Sequence, residues 1–335
     1  MRQAYPNDTD CRAMAQTAVD AVRGRIHTVA VLLGGTSGER PISFAGGINV
    51  AHVLEAAGLA VMRIDPAEDD WLAQLQQCAP DVVFIALHGQ NGEDGTVQGL
   101  LDLLHIPYTH SGVLASALAM DKERSKVHYR AMGLAVPASV PVCRGEHVEL
   151  NALIEVVGLP CVVKPVCDGS SLGVAIPKTI EALTVALEEA FAIAREVMVE
   201  EFIAGVEVTV PVIGNTRGQA LPVIEIIPAA EFYDYDSKYL EGGSQHIIPA
   251  RITATQTTLC QHAAVCAHEA LGCRGVSRTD LIVSPDGIPY VIETNTIPGM
   301  TNTSLVPESA QKAGLEPSLF YQYLLALALE AQDGL

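Results

Sequence analysis

Three continuous apolar runs near the start of the chain constrain the fold more than any other feature. They read HTVAVLLGG from His27, LAVMRID from Leu59 and DVVFIAL from Asp81, and helical patterns separate them. Uninterrupted runs of this kind are typical of strands buried on both faces, as in parallel sheets crossed by helices. We therefore predict a doubly wound α/β domain with a parallel sheet over residues 26–112.

Ligands of such sheets bind at the carboxyl ends of the strands. Gly34, Gly35 and Glu39 follow the first run, and His88 follows the third, so they are candidate site residues. The loop GGTSGE lacks the GxGxxG spacing of a dinucleotide site, although Asp65 ends the second run as such a site requires. An NAD-dependent oxidoreductase is thereby disfavoured but stays open as an alternative.

The rest of the chain predicts a multidomain protein of α/β and α+β class. Residues 113–199 contain short strand patterns around one helix, and residues 200–335 contain longer antiparallel candidates closed by a helix. Residues 1–25 carry no strong pattern, and we expect a flexible N-terminal extension. The irregular segment 228–249 is long for a loop in a compact domain, which is typical of a functional or mobile loop.

The charge balance excludes some classes of partner. The 335 residues include 20 Lys and Arg against 39 Asp and Glu, a formal net charge of −19. Nucleic acid and anionic membrane surfaces attract a field of basic residues, so neither is an expected partner. An anionic ligand must instead meet a local basic pocket. No apolar run approaches membrane-spanning length, and no secretory signal pattern begins the chain.

The eight cysteines form no CxxC pair, and several lie in apolar runs. This usage indicates reduced, buried thiols and a cytoplasmic location. His262, Cys266 and His268 resemble a zinc set, but helical spacing puts His268 on a different face from the other two. We interpret these three side chains as core packing.

A hairpin near the C-terminus brings two acids together. A four-residue loop over 285–288 would pair Ser284 with Pro289 and, stepping back, place Asp280 opposite Glu293. Two facing carboxylates repel one another. The local pattern therefore predicts either a cation between them or a solvated strand end with unpaired acids.

Asn295 lies two residues beyond Glu293 and so points to the same face of the strand. Together with Asp280 it gives three oxygen donors at one sheet edge. A hard divalent cation resolves the repulsion, and few protein ligands leave room for phosphate and water, as Mg²⁺ prefers.

A second candidate is the stretch VVKPVCDGSSLGV. Lys164 ends an apolar strand there, and Gly169, Ser170, Ser171 and Gly173 follow in a loop. Glycines allow backbone N–H groups to approach an anion, hydroxyls donate further hydrogen bonds, and lysine supplies charge. The G-K-[ST] of a Walker loop is absent, and a salt-bridged lysine before a hairpin is the alternative.

A third candidate is VMVEEFIAGVEVTV, a strand, a glycine turn and a second strand. Glu200, Glu201 and Glu207 flank an apolar cleft that could bind a purine and a ribose hydroxyl. The same glutamates could equally form the outward face of a hairpin.

The order of these motifs resembles that of the D-alanine:D-alanine ligases, a family of the ATP-grasp superfamily. The similar blocks include ALHGQNGEDGTVQGLL, MDKERSK, VEEFIAGVEVTV, FYDYDSKY, SRTD and IETNTIPGMTNTSLVP, between about residue 28 and residue 330. The resemblance implies a central ATP-grasp domain over 113–199 and a C-terminal one over 200–335. It also implies ATP, Mg²⁺ or Mn²⁺ as two ions, D-alanine as substrate, and a homodimer.

The implied activity joins two D-alanine molecules through an acyl phosphate for peptidoglycan precursor synthesis. The alternative within the superfamily is another carboxylate ligase, such as one that makes a D-alanyl-D-lactate ester. An NAD enzyme or a binding protein without catalysis is the alternative from a different class.

The resemblance assigns roles residue by residue. Those implied for the nucleotide and metal are Lys122, Lys164, Ser170, Ser171, Glu200, Glu201, Phe202, Ile203, Glu207 and Lys238, with Asp280, Glu293 and Asn295 as metal ligands. Those implied for the substrates and the reaction are Glu39, His88, Ser170, Tyr239, Arg278, Gly299, Ser304 and Leu305.

Tyr239 stands where relatives that use D-lactate typically carry phenylalanine, which favours the dipeptide product. Two positions depart from the family pattern. Ile297 replaces a common serine, and Glu201 replaces a lysine often found beside the adenine, which puts nucleotide affinity in doubt.

Overall fold

A computed structural model describes residues 10–167, 173–228 and 243–334 of the chain. Its helices are α1 Cys11–Ala21, α2 Arg40–Ala56, α3 Trp71–Cys78, α4 Thr96–Leu103, α5 Val113–Met120, α6 Lys122–Ala131, α7 Leu150–Val157, α8 Ile180–Ile193, α9 Ala254–Leu271, α10 Leu305–Lys312 and α11 Pro317–Asp333. Its strands are β1 Thr28–Leu32, β2 Ala60–Ile64, β3 Val82–Ile85, β4 Ser139–Cys143, β5 Cys161–Pro165, β6 Glu196–Glu201, β7 Val206–Ile213, β8 Gln219–Ala220, β9 Ile224–Pro228, β10 Ser244–Ile247, β11 Val276–Val283 and β12 Pro289–Asn295.

The first three strands form a parallel sheet in the order β2-β1-β3, which confirms the predicted α/β unit. Strand β3 and nearly all of β1 are buried, and helices cover both faces of the sheet. Strand β2 differs from the expectation of a fully buried run. It lies at the sheet edge, and Met62 is exposed there, because an edge strand lacks a neighbour on one side.

Part of the expected flexible extension is ordered. Asp10 caps α1, its Oδ1 accepting hydrogen bonds from the N–H groups of Arg12 at 3.0 Å and Ala13 at 3.1 Å. The apolar face of α1, centred on buried Ala15, packs against α11. The prediction was therefore wrong for residues 11–21, because the partner of this face lies some 300 residues later in the chain.

A charge at position 15 tests this contact. Ala15→Asp is expected to lower the unfolding free energy by about 2 kcal/mol or more, because it buries an unpaired carboxylate against α11. Ala13→Asp is the matched control, since Ala13 is exposed on the same helix and an acid there suits the first turn. Denaturant unfolding of both variants gives the comparison, and equal midpoints would show that α1 does not need this packing.

The last helix closes the N-terminal unit. Although α11 follows the C-terminal sheet in sequence, it packs against α2 and β3, and its Tyr321 contacts Phe84 edge-on with ring centroids 5.9 Å apart. Tyr321 and Phe84 belong to the largest apolar cluster together with residues of β1 and α2. The core of the first unit therefore contains both ends of the described chain.

Two antiparallel sheets follow the parallel one. The central sheet has the order β4-β6-β5, and the C-terminal sheet has the order β10-β9-β7-β11-β12, with β8 paired to β7. Helix α9 covers the C-terminal sheet, and α6 packs against α5, α9 and β12. Among the described helices, none combines the length and apolar character needed to cross a membrane.

Candidate active site

The hairpin of β11 and β12 carries the acidic edge predicted from the sequence. The predicted loop register was wrong, since Val283 rather than Ser284 pairs with Pro289. A β-bulge then shifts the register between Asp280 and Leu281, and Asp280 lies opposite Glu293 as predicted. The bulge adds one residue to β12, Ile292, and so restores the predicted pairing of Asp280 with Glu293 although the turn differs.

Four polar side chains share one face of this hairpin, which we call the acidic shelf: Arg278, Asp280, Glu293 and Asn295. Arg278 pairs with Asn295 in register, and its guanidinium donates two hydrogen bonds to Asp280, with Nε–Oδ1 at 2.9 Å and Nη2–Oδ2 at 2.8 Å. The Thr209 hydroxyl donates to the same carboxylate at 2.5 Å. Asp280 is thus held in one orientation.

Glu293 also has a basic neighbour. The ammonium of Lys122, at the first position of α6, lies 3.4 Å from Glu293 Oε2. Both side chains are largely buried, and with Asn295 they line a cavity of about 40 Å³. The acids are therefore neither solvated nor unpaired, which removes the alternative of a free strand end.

The acidic shelf offers donors of the right kind for a hard cation. Two carboxylates and the Asn295 amide lie on one face, and the Asn295 Oδ1 already accepts from the Ile297 N–H at 2.9 Å. No group of three or more His, Cys, Asp or Glu with metal geometry occurs in residues 10–167, 173–228 and 243–334. A cation here would need further oxygen ligands from phosphate or water, which suits Mg²⁺.

A second cluster lies at the carboxyl edge of the parallel sheet. Glu39, at the start of α2, and His88, after β3, are both buried. His88 Nδ1 lies 3.6 Å from Oε1 of Glu93, and the other Glu93 oxygen accepts from the Gly89 N–H at 2.9 Å. Burial opposes protonation of His88, but Glu93 and Glu39 outweigh it and raise its pKa, while Arg278 acts in the opposite direction. Glu93 also lines the cavity bordered by Lys122, Glu293 and Asn295, so the cluster and the acidic shelf border the same space.

Glu93 was not singled out from the sequence. Its only signal was its place inside HGQNGEDG, two residues from a glycine-rich turn and five from His88. The structure makes it the buried partner of that histidine.

The raised pKa of His88 predicts pH-dependent stability. A histidine whose folded pKa exceeds its ordinary value of about 6.5 stabilises the fold fully below that pH, and this stabilisation is lost as pH rises through the folded pKa. Glu93→Gln removes the largest raising influence but keeps an acceptor for Gly89. We therefore expect Glu93→Gln to destabilise the protein more at about pH 6 than at about pH 9.

Urea unfolding at both pH values measures this difference, with Glu188→Gln on the exposed face of α8 as control. The control is expected to give the same small change at both pH values. A Glu93→Gln effect that does not vary with pH would contradict the pairing.

A third cluster contains the predicted nucleotide residues. Glu200 is buried on β6, and Lys164 Nζ on β5 lies 2.5 Å from its Oε2. The salt-bridged alternative for Lys164 is therefore correct in this structure, yet the pair lies on the strands predicted for a nucleotide. Beyond it, Ile203 is nearly buried, Phe202 is 37% exposed, and Glu207 on β7 pairs with β11.

Glu201 has a structural role. Its N–H donates to the Ala138 carbonyl at 2.8 Å, and its Oε2 accepts from the Ala138 N–H at 3.2 Å. The departure from the common lysine is thus accommodated by a contact with the start of β4.

The turn after β12 explains the second departure. Ile297 is fully buried in the apolar cluster of the parallel sheet, so an apolar side chain suits the position. Further along, Ser304 Oγ accepts from the Thr301 N–H at 3.0 Å, just before Leu305 begins α10. A Cβ at Gly299 would lie 3.0 Å from Ser304 Oγ, a tight contact that a larger residue could make only if the serine side chain shifted.

Four predicted residues, Ser170, Ser171, Lys238 and Tyr239, lie outside the described residues. The same is true of most of the loop 228–249. Their assignments stay predictions from the sequence.

The residues of the two alternative sites, the dinucleotide site and the zinc set, have structural roles instead. Asp65 pairs with Arg40 at 2.6 Å and accepts from the Gly35 N–H at 2.9 Å, so its carboxylate is engaged rather than open to a ribose. His268 bonds to Ser277 at 2.7 Å, and burial lowers its pKa to about 4. His262 instead contacts Cys266 on the same helix, and none of the eight cysteines, all of which lie in the described ranges, forms a disulfide.

The chain has a parallel α/β unit followed by two antiparallel sheets, with buried lysine–carboxylate pairs on the central sheet and between α6 and the C-terminal sheet. This is the arrangement of an ATP-dependent ligase of the ATP-grasp fold. Residues 68–111 match the model of the D-ala D-ala ligase N-terminus, and residues 129–326 match that of the D-ala D-ala ligase C-terminus. The chain belongs to the D-alanine–D-alanine ligase family.

Individual relatives agree. The chain is similar to the D-alanine–D-alanine ligase of Syntrophobacter fumaroxidans, with 47% identity over 307 residues that cover 90% of this chain and 98% of the relative. Crystal structures of the Bacillus anthracis D-alanine–D-alanine ligase superpose with a TM-score of 0.82 at 35% identity, and 0.81 at 32% identity for its ATP complex. Both cover 92% of this chain and 99% of the other.

Proposed function

We propose that the protein joins two D-alanine molecules to D-alanyl-D-alanine, with conversion of ATP to ADP and phosphate, for peptidoglycan precursor synthesis. The observation that carries this proposal is the acidic shelf beside the Glu39–His88 cluster, in a chain of this family. The shelf supplies charges suited to phosphate chemistry, and the cluster supplies a buried carboxylate suited to a substrate ammonium.

The reaction follows from the weakness of a carboxylate as an electrophile, since it has no adequate leaving group. Transfer of the γ-phosphoryl group of ATP to the carboxylate of the first D-alanine gives an acyl phosphate and ADP. The amine of the second D-alanine attacks the acyl carbon, the C–N bond forms, and phosphate leaves with the C–O bond electrons. Of the three protons on the second substrate's ammonium, one is lost to give the attacking amine and one as the amide forms, both passing to solvent, and the third stays on the amide nitrogen.

The substrate residues have distinct roles in this proposal. Glu39 binds the ammonium of the first D-alanine, with His88 close to the same molecule. Arg278 and the Gly299 N–H stabilise the oxyanion of the tetrahedral intermediate, which is electrostatic stabilisation of developing charge. Ser304 and the Leu305 N–H hold the carboxylate of the second D-alanine at the start of α10.

The nucleotide residues lie between the two antiparallel sheets. Lys122 and Lys164 bind phosphates, the strand end from Glu200 to Ile203 holds the adenine, and Glu207 binds the ribose. Asp280, Glu293 and Asn295 would hold Mg²⁺ or Mn²⁺, as two ions. The metal, when bound, neutralises phosphate charge and thereby favours phosphoryl transfer.

The sequence adds four residues to the proposal. Ser170 and Ser171 cover the phosphates, while Lys238 and Tyr239 close over the site and exclude water that would hydrolyse the acyl phosphate. Tyr239 favours D-alanine over D-lactate as the second substrate.

The test is ADP release by the purified protein with ATP and Mg²⁺. ADP and phosphate are expected with D-alanine and not with L-alanine, and mass spectrometry is expected to find D-alanyl-D-alanine. Mixed D-alanine and D-lactate distinguish the alternative, since an ester product would identify a D-alanine:D-lactate ligase. ADP release that does not depend on D-alanine, or no ADP release at all, would refute both the D-alanine:D-alanine and the D-alanine:D-lactate ligase.

We also propose a homodimer formed through the N-terminal domain and a cytoplasmic location. The resemblance to the family supports the dimer, and the free thiols support a reducing compartment. Sedimentation velocity measures the assembly, and a monomer at micromolar concentration would contradict the first assignment.

A further inference from the structure

Helix α6 carries two lysines one turn apart, and only Lys122 has a role in the proposed function. Residues four apart share one face of a helix, so Lys126 points to the same side as Lys122. Lys122 reaches Glu293 on the C-terminal sheet, and Lys126 reaches Glu200 on the central sheet, with Nζ 3.1 Å from Oε1. The helix therefore connects both sheets through charged contacts.

Lys126 is fully buried, which is unusual for a lysine and costly unless the charge is paired. Its ammonium lies near Glu200 and also donates to the Pro137 carbonyl at 3.4 Å. Burial lowers its pKa to about 8, with Glu200 opposing and Lys164 reinforcing this shift. Lys126 is therefore protonated at neutral pH.

Glu200 is shared between two lysines. Oε1 faces Lys126, and Oε2 lies 2.5 Å from Lys164 Nζ. Lys164 lies two residues along β5 from Val162, the direct neighbour of Glu200, so both side chains project from the same face. Two ammonium groups face one carboxylate, so the positive charge of these three side chains exceeds the negative charge by one. The Glu123 carboxylate, on the same helix as Lys126, acts on Lys126 from outside this trio.

The net charge matters because the chain as a whole is strongly acidic. Without Lys126, Glu200 and Lys164 would form a pair with no net charge to offer an anion. With Lys126 present, its ammonium lies 3.1 Å from the other Glu200 oxygen and offsets the carboxylate charge, so the charge of Lys164 is not fully cancelled.

We propose that Lys126 is a positioning residue for nucleotide binding, which orients the Glu200 carboxylate at the adenine hinge and leaves Lys164 with its positive charge for the phosphates. The proposal rests on the proposed nucleotide site and extends it to a residue that contacts no ligand. Lys126 acts through Glu200 and Lys164.

The test is the affinity for a non-hydrolysable ATP analogue with Mg²⁺, measured by isothermal titration calorimetry. Lys126→Met is expected to raise the Kd about tenfold, the size expected for the loss of one buried charge contact. The KM for ATP is expected to rise in parallel, while the KM for D-alanine stays within about twofold. Lys312→Met, which removes an exposed lysine from the end of α10, is the control and is expected to bind normally.

A double-mutant cycle separates positioning from packing. In a Glu200→Gln background no carboxylate charge needs to be offset, so Lys126→Met is expected to change the Kd by less than about twofold. If Lys126→Met acted through a packing defect, it would raise the Kd by the same factor in both backgrounds. Equal losses of affinity in the wild-type and Glu200→Gln backgrounds would overturn the proposal. So would an unchanged Kd for the Lys126→Met single variant.

Two further measurements keep the outcome decisive. If thermal unfolding shows that Lys126→Met does not fold, Lys126→Gln replaces it, because glutamine keeps a donor without the charge and is expected to show the same loss. A wild-type protein that binds the analogue but makes no dipeptide refutes the proposed ligation and leaves this test intact. An active wild type with unaffected Lys126 variants refutes only the positioning role.

Discussion

Replacing Glu293 by alanine is expected to lower kcat about 10³-fold or more, because the acidic shelf loses one of its proposed metal ligands. A metal held there would stabilise the transition state of phosphoryl transfer more than the bound substrates. Glu293 lies opposite Asp280, so the remaining carboxylate and Asn295 offer a poorer set of oxygens. Lys122 also loses its partner at 3.4 Å. D-alanine-dependent ADP formation measures the loss, and circular dichroism checks the fold.

The control is Glu189→Ala on exposed α8, which is expected to keep wild-type turnover. A titration with Mg²⁺ adds a direct readout, since the Glu293 variant is expected to need a higher concentration for its residual activity. Wild-type turnover and an unchanged Mg²⁺ requirement in Glu293→Ala would refute the metal assignment while leaving the fold assignment in place.

Replacing Arg278 by methionine is expected to lower kcat about 10²- to 10³-fold, the effect of removing one group that stabilises an oxyanion. The guanidinium is mostly buried, and its fork holds both oxygens of Asp280, so the change also frees a shelf carboxylate. Arg278→Lys keeps the charge but cannot make the two-pronged contact, and an intermediate loss is expected. Steady-state kinetics with D-alanine and ATP separates kcat from KM.

Arg251→Met is the matched control. Arg251 forms a comparable pair with Glu225, at 2.7 Å, but its side chain is 62% exposed. We expect its kcat to stay within about twofold of wild type, as for most exposed ion pairs. Similar losses in the two arginine variants would indicate a general effect of stability rather than oxyanion stabilisation.

The parallel sheet was predictable because burial on both faces leaves a continuous apolar run. The position of each strand within that sheet was not predictable from the sequence. LAVMRID is nearly as apolar as HTVAVLLGG, yet β2 is a half-exposed edge strand and β1 is the central one. Strand order depends on contacts between segments far apart in sequence, which a local pattern does not contain.

The hairpin shows a correct pairing predicted from a wrong turn. Stepping back from an assumed four-residue loop predicted that Asp280 faces Glu293, and this pairing held because a bulge corrected the register after the loop. The residues around Asp280 and Ile292 carry no glycine or other local signal for a bulge.

Some charged residues of the site could be found from the sequence, whereas others are recognised only in the structure. Glu39, His88, Arg278 and Asp280 were found from motifs because each lies in a block whose order is distinctive. The Lys126–Glu200 contact joins α6 to β6 across the domain, and only the three-dimensional arrangement reveals it. Glu93 was also visible in its motif but had no assigned partner until the structure placed it beside His88.

The packing of α11 against β3 and α2 has a consequence for biosynthesis. The strands of the parallel sheet leave the ribosome first, but Phe84 and its neighbours lack their cover until residues 317–333, the last helix of the chain, have been made. Apolar surface on the nascent first unit therefore stays open during translation of both antiparallel sheets, which normally favours protection by chaperones. Synthesis of residues 317–333, rather than completion of the first unit, is the event that closes this core.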